Sequence, residues 1–166
     1  ISNCLILKDI YSYEVFMNTN ICHIYKNEQL VDSAKICVNW VKGKGRAVIA
    51  KTNINKFELI EMSPTSEIPA AQIKLINNTD VFEHYFVNPE CYLKTNSNTN
   101  EVGGYISFGL VSLCNHSKSP NAIVKWLHDE MGTWAELVAL EAIKEGEEIE
   151  ICYTNIDEYS NVDSFI

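Results

Sequence analysis

A mainly β fold with few short helices is what this sequence predicts, on three observations. β-Branched and aromatic residues crowd into short runs bounded by Gly, Pro and Asn, as strands and their turns require. Helical spacing of apolar residues is confined to one or two segments. The chain has 166 residues, which fits one domain and allows a real core to be buried.

Residues 1–33 are mixed, and "YSYEVFM" suits either a short strand or a helix start. From 35 to 62 the pattern sharpens. "AKICVNWV" reads as a strand, "KGKGR" as a turn, "AVIAKTNI" as a second strand and "KFELIEM" as a third. Pro64 and Pro69 then mark a change of character. "SEIPAAQIKLINNTD", residues 66–80, predicts a helix capped by Ser66, with Ile68, Ile73 and Ile76 on its apolar face. "VFEHYFVN" follows as a strand. The Asn/Ser/Thr-rich stretch 94–104 reads as a mobile surface loop and not a domain linker, because strand-like sequence resumes directly after it. "AIVKWLHD" and "WAELVALEAI" form a hairpin about Glu130-Met131-Gly132. "EGEEIEICY" is the last strand, and the tail "TNIDEYSNVDSFI" is polar and partly loose. No internal repeat stands out.

The composition, 46% apolar and 21% charged, is that of a soluble globular protein. No apolar stretch reaches the length of a membrane span. A net charge of −9 argues against nucleic acid as a direct partner and suits a basic protein or peptide. Six cysteines stand at 4, 22, 37, 91, 114 and 152, with no Cys-x-x-Cys pair. Cys37, Cys114 and Cys152 sit in apolar runs. Scattered in this way, the cysteines read as small buried apolar residues of a reducing compartment, nucleus or cytoplasm, and no metal site is expected. The chain begins at Ile1, so it reads as a fragment or processed form, with an upstream targeting segment left open.

Three pieces could carry chemistry, and each has a plainer reading by itself. In "GKGRAVIA", Gly43 and Gly45 allow close backbone approach to a ligand with Lys44 and Arg46 beside it, yet a glycine hairpin turn explains them too. In "FGLVSLCNHSKSPNAIVKW", an apolar run ends in Asn115-His116-Ser117. A satisfied buried histidine is the simple account, although adjacent Asn and His can also fix a polar ligand. Asn115-His116-Ser117 also has the form of a glycosylation acceptor, but its apolar flanks speak against that. In "EGEEIEICY", Tyr153 by itself is a strand-end aromatic.

The combination says more. A Gly-x-Gly-Arg turn near the start, Asn-His-Ser-x-x-Pro-Asn two-thirds along, and Gly-Glu-Glu-Ile-x-x-x-Tyr near the end resemble the SET domain of protein-lysine methyltransferases. "GRAVIAKTNINKFELIE" is also similar to that family's opening, G-R-G-V-F-A-x-x-x-I-x-x-G-E-x-I. The resemblance covers about residues 35–154. It implies a fold of small curved β-sheets in which the Asn-His-Ser segment and the C-terminal segment form a pseudoknot, an exception to the rule against threading. Residues 1–34 would be a flanking segment, 65–100 a variable insertion shaping one side of a peptide groove, and 155–166 a tail.

The resemblance further implies S-adenosyl-L-methionine as cofactor and a protein with an exposed lysine as partner, a histone tail among the candidates. Asn115 and His116 would hold the amino, carboxylate or adenine groups of the cofactor. Lys44, Gly45 and Arg46 would meet its methionine part, largely through backbone. Tyr153 would place its hydroxyl at the transfer site. Tyr105 or Tyr85 would be a second channel tyrosine, with Tyr105 taken first, while Phe108 would be core or channel lining. Lys118 stands where the family often has Cys, and no cysteine follows Tyr153. The zinc-binding post-SET segment is therefore missing, and Tyr159 or Phe165 would have to cover the site. Val124 replaces a tyrosine that limits methyl number in some members, which leaves room for di- or trimethylation. The reading from another class is a catalytically silent SET domain that acts as a protein-binding module.

Overall fold

The computed structural model describes residues 34–88, 92 and 102–159. The readings of residues 1–33, of most of the 94–104 loop, of Cys4, Cys22 and Cys91, and of Phe165 lie outside the described residues. Among the described residues, three sheets build the fold. Strands β1 (Ile36–Val41) and β2 (Gly45–Ala50) form an antiparallel hairpin in which Val41 pairs with Gly45. Its turn closes through the Lys44 amide on the Val41 carbonyl at 3.1 Å. Gly43 and Gly45 sit at φ 87° and 86°, backbone that glycine takes without a Cβ clash.

The next sheet is built on β3 (Leu59–Ile68), flanked by β5 (Gly104–Ser107) and β8 (Gly132–Ala139), with β4 (Tyr85–Val87) and β7 (Ala122–Asp129) outermost. Pro64 lies inside β3, where the sequence suggests a break. The strand tolerates it because its ladder to β8 ends at Pro64 and its ladder to β5 starts at Thr65, so the missing N–H falls at the handover.

This handover also corrects the predicted helix. Ser66 and Ile68 belong to β3, paired with Ile106 and Gly104, and α1 runs only over Ala70–Ile76. Pro69 ends the ladder and enters the helix, where a residue without an N–H costs nothing. Ile73 is fully buried and Ile76 packs beside it, so two of the three predicted face residues keep that role. A 3-10 turn over Asp80–His84 then delivers β4, so the predicted 81–88 strand is reduced to its last part.

The hairpin β7–β8 forms as expected, with Asp129 opposite Gly132. The last predicted strand shrinks to a bridge at Glu148 and to β9 (Glu150–Ile151), which pairs in parallel with β6 (Asn115–His116). That parallel pair joins residues 35 apart in sequence and ties β9 to the Asn-His-Ser segment. Ahead of it, a 3-10 turn over Leu110–Leu113 is fixed by the Glu61 carboxylate, which accepts from the amides of Leu110 (3.0 Å) and Val111 (2.8 Å). A Cβ at Gly109 would collide with the Ser63 side chain, so glycine is required there.

The main core lies between the hairpin, β3, β8 and the parallel pair, with Ile36, Val48, Leu137, Ile143 and Ile149 essentially inaccessible. A smaller core of Ile68, Ile73, Tyr85, Val87 and Tyr92 lies entirely within 65–100. Cys37 and Cys114 are buried as expected; Cys152 is exposed, because it is the outward residue just past β9.

Candidate functional site

Two adjoining hollows open where the motif segments converge. An apolar one of about 290 Å³ is lined by Tyr85, Phe86, Val124, Trp126 and Cys152 among others. A more polar one of about 330 Å³ is lined by Trp40, Lys44, Gly45, Arg46 and Asn115 among others. Glu83, His84, Ser112, Tyr153 and Tyr159 border both, so Tyr153 stands in the wall between them.

Two carboxylates tie the residues of the polar hollow together. Glu148 ion-pairs with Lys44 (2.8 Å) and accepts from Asn115 Nδ2 (2.7 Å); Glu150 adds a second 2.8 Å contact to Lys44. Hydrogen bonds to Glu148 and then Glu150 hold the Lys44 ammonium above the ordinary lysine range. Asn115 Nδ2 also donates to the Arg46 carbonyl at 3.1 Å, which joins the glycine turn to the Asn-His-Ser turn. The Arg46 guanidinium meets His84 Nε2 at 3.2 Å, and His84 Nδ1 meets the Ser112 carbonyl at 3.3 Å. That pair of partners assigns the proton to Nδ1 and the acceptor to Nε2.

His116 does something different from its neighbour. Its imidazole is buried, lines neither hollow, and accepts at Nδ1 from the Tyr153 amide at 3.0 Å. Burial, reinforced by Lys118, pushes its pKa below the ordinary histidine value. The Tyr153 hydroxyl donates to the Cys114 carbonyl at 2.7 Å. Its ring stands 5.4 Å from His116 and 5.6 Å from Tyr159. Burial pushes the phenol pKa up, so Tyr153 carries its proton throughout the physiological range.

Of the two second-tyrosine candidates, Tyr105 lies behind Trp126, ring to ring at 4.9 Å, and lines neither hollow. It sits on β5 opposite Glu67 and Phe86, one strand further into the sheet than Phe86, which does line the apolar hollow. Tyr85 lines the apolar hollow but donates its hydroxyl to Asn77 at 3.0 Å. Tyr159, considered above only as a cover, lines both hollows and packs on Phe82 at 4.8 Å. Phe108 is not core and lines neither hollow; it is 68% exposed.

Several residues of this region were not legible as site residues. Asn121 lay inside the quoted motif without a role. It donates from Nδ2 to the Glu148 carbonyl (2.8 Å) and accepts at Oδ1 from the Glu150 amide (2.9 Å), so it takes the place of a strand partner. Glu148 had the signal of alternating acids. His84 and Trp40 gave no local signal at all.

The SET domain profile matches residues 45–154, and the chain belongs to that family. Two solved structures share the fold. One is a candidate histone methyltransferase of Plasmodium falciparum, 22% identical, with TM-score 0.54, covering 74% of this chain and 95% of that one. The other is the Neurospora SET domain protein DIM-5, a histone lysine methyltransferase, 17% identical, with TM-score 0.53, covering 71% of this chain and 51% of that one. No curated protein matches by sequence. Among the described residues no helix is long and apolar enough to cross a membrane.

Proposed function

We propose that the chain is an S-adenosyl-L-methionine-dependent protein-lysine methyltransferase, its catalytic domain spanning 35–154 with 65–100 as the insertion. The observation that carries this reading is Tyr153 in the wall between two hollows, one polar and flanked by the glycine turn, the other apolar and aromatic. The polar hollow fits the cofactor. At about 330 Å³ it falls within the range of small-molecule sites, and Gly45 leaves its floor open, a Cβ there meeting only Trp40 at 3.9 Å. Lys44, Gly45, Arg46 and Asn115 would hold the group, with His116 acting through the Tyr153 backbone. When bound, the cofactor supplies a methyl activated by its sulfonium.

The chain's own residues do the rest. Lysine, with a pKa of about 10.4 in water, is protonated at neutral pH and cannot attack. The apolar hollow, walled by Phe86, Val124 and Trp126, disfavours the ammonium form by desolvation. The Tyr153 proton is used on Cys114, which leaves the oxygen lone pairs to accept from the incoming amine and orient it. Tyr159 replaces Tyr105 as our choice of second channel tyrosine, because it lines the hollows and Tyr105 does not. Val124 lining the hollow supports room for more than one methyl group. Histones are candidate substrates, in keeping with the acidic net charge and with the descriptions of both structural neighbours.

The test is transfer of labelled methyl to core histones and to a cell lysate. Tyr153→Phe is expected to lower the rate by about a hundredfold, the scale for removing one preorganised polar group at a transition state. S-adenosylhomocysteine binding should stay within about threefold, on the same footing that the hydroxyl acts on the amine. Binding of S-adenosylhomocysteine without transfer to any protein would instead support the silent module.

A further inference from the structure

The geometry points to Glu83 as the residue that selects substrates, by pairing with a basic side chain next to the target lysine. This rests on the methyltransferase reading and goes beyond it to the sequence around the lysine. Glu83 is exposed on the 3-10 turn that enters β4 and borders both hollows. Among the described residues lining the apolar hollow it is the one carboxylate, and no lysine or arginine joins it there. Its carboxylate has no hydrogen-bond or ion-pair partner among the described residues, unlike the side chains of Lys44, Arg46 and Glu148 nearby, which are all engaged.

Its position is fixed by its neighbour. His84 is held on one side by the Ser112 carbonyl and on the other by Arg46, so the turn carrying Glu83 is anchored to both motif segments. The carboxylate is near enough to the wall for its charge, after burial, to help raise the pKa of both Tyr159 and Tyr153. A lone negative charge at the rim of an aromatic hollow suits a cation on an apolar stem, an arginine or lysine side chain. The target amine itself must enter neutral, so a charge-paired partner is better supplied by a flanking residue. At the rim that partner keeps its solvation, and the pair steers encounter and register.

The experiment uses fluorescent peptides centred on one lysine, flanked within two residues by either arginine or glutamate. Anisotropy is read with the full chain and S-adenosylhomocysteine present, so no turnover is needed. Wild type should bind the arginine peptide roughly threefold to tenfold more tightly than the glutamate peptide, the scale of a partly exposed ion pair. Glu83→Gln should erase that difference, and Glu83→Arg should reverse it. Glu130→Gln, the same change of net charge at the far hairpin, should leave it intact. The inference is overturned if Glu83→Gln keeps the wild-type preference, if Glu130→Gln removes it equally, or if neither peptide binds. It is also overturned if Glu83→Gln weakens S-adenosylhomocysteine instead, since the carboxylate would then serve the cofactor. Labelled transfer to the same peptides separates the two readings: transfer without flank preference sinks this inference alone, and binding without transfer sinks the enzyme alone.

Discussion

Phe57 has φ 67° and is 70% exposed. It stands where the family opening quoted above has glycine. A left-handed backbone costs an L-residue about 1–2 kcal/mol. Against that, glycine loses more chain entropy on folding, about 0.5–1 kcal/mol, and the change gives up the contact of Lys56 over the Phe57 ring. Phe57→Gly should therefore stabilise slightly, by about 0.5 kcal/mol. A thermal melt would show a small rise in midpoint, and a fall would mean that the Phe57 ring contributes more than its backbone costs. His116 makes a comparable point about residue type. Its ring is chosen for an acceptor at Nδ1, so an uncharged acceptor such as asparagine is the conservative replacement and alanine leaves the Tyr153 amide unsatisfied.

At the scale of elements, the turn containing Phe57 has a twin that a linear scan for repeats does not see. Ile54-Asn55-Lys56-Phe57-Glu58 and Ile143-Lys144-Glu145-Gly146-Glu147 face each other through an antiparallel bridge between Ile54 and Ile143. In both, the glutamate amide donates to the carbonyl three residues back, and its carboxylate accepts from the amide of that same residue. Both take positive φ at the fourth position, Phe57 at 67° and Gly146 at 85°. Gly146→Ala should therefore destabilise by about 1–2 kcal/mol, opposite in sign to the change at Phe57. The parallel pair β6–β9 is only two residues long on each side, so Asn121 must carry part of its load. Asn121→Ala leaves the Glu150 amide and the Glu148 carbonyl without that partner, which should cost about 2 kcal/mol. Denaturant midpoints measure this, and an effect under a few tenths would mean that water takes over both bonds.

For the whole molecule, pH is the informative variable. His116 is more acidic folded than unfolded, so the unfolded chain binds more protons between the two values. Its contribution to stability is complete above the unfolded pKa of about 6.5 and is lost as pH falls below it. Glu58, held at about 2 chiefly by Lys35 and then by the Asn55 amide and side chain, acts in a lower window, from the usual carboxylate range downward. Melting points between pH 8 and 5 should fall on the acid side of 6.5. His116→Asn, which keeps an acceptor but cannot titrate, should flatten that decline; a decline that persists unchanged would remove His116 as its source.

What could be read from sequence alone was whatever repeats locally. Runs of β-branched and aromatic residues gave β7 in full, β1 with two residues to spare and only the shared parts of β2 and β8, and the spaced motifs Gly-x-Gly-Arg, Asn-His-Ser and Glu-Glu-Ile-to-Tyr sufficed for the family. Tertiary structure decided the rest, where two segments compete or cooperate across the chain. Ser66 and Ile68 went to β3 because β5 offered a ladder that ends at Pro69. Strand order set Tyr105 one strand in from Phe86 and against Trp126, while a turn tied down by Tyr92 on Asp157 brought Tyr159 to the hollows. Glu83 and His84 carry no motif and reach the site only because the 80–84 turn folds back against Arg46 and Ser112. Periodicity records which face of an element is buried; it holds no record of which distant element will lie against it.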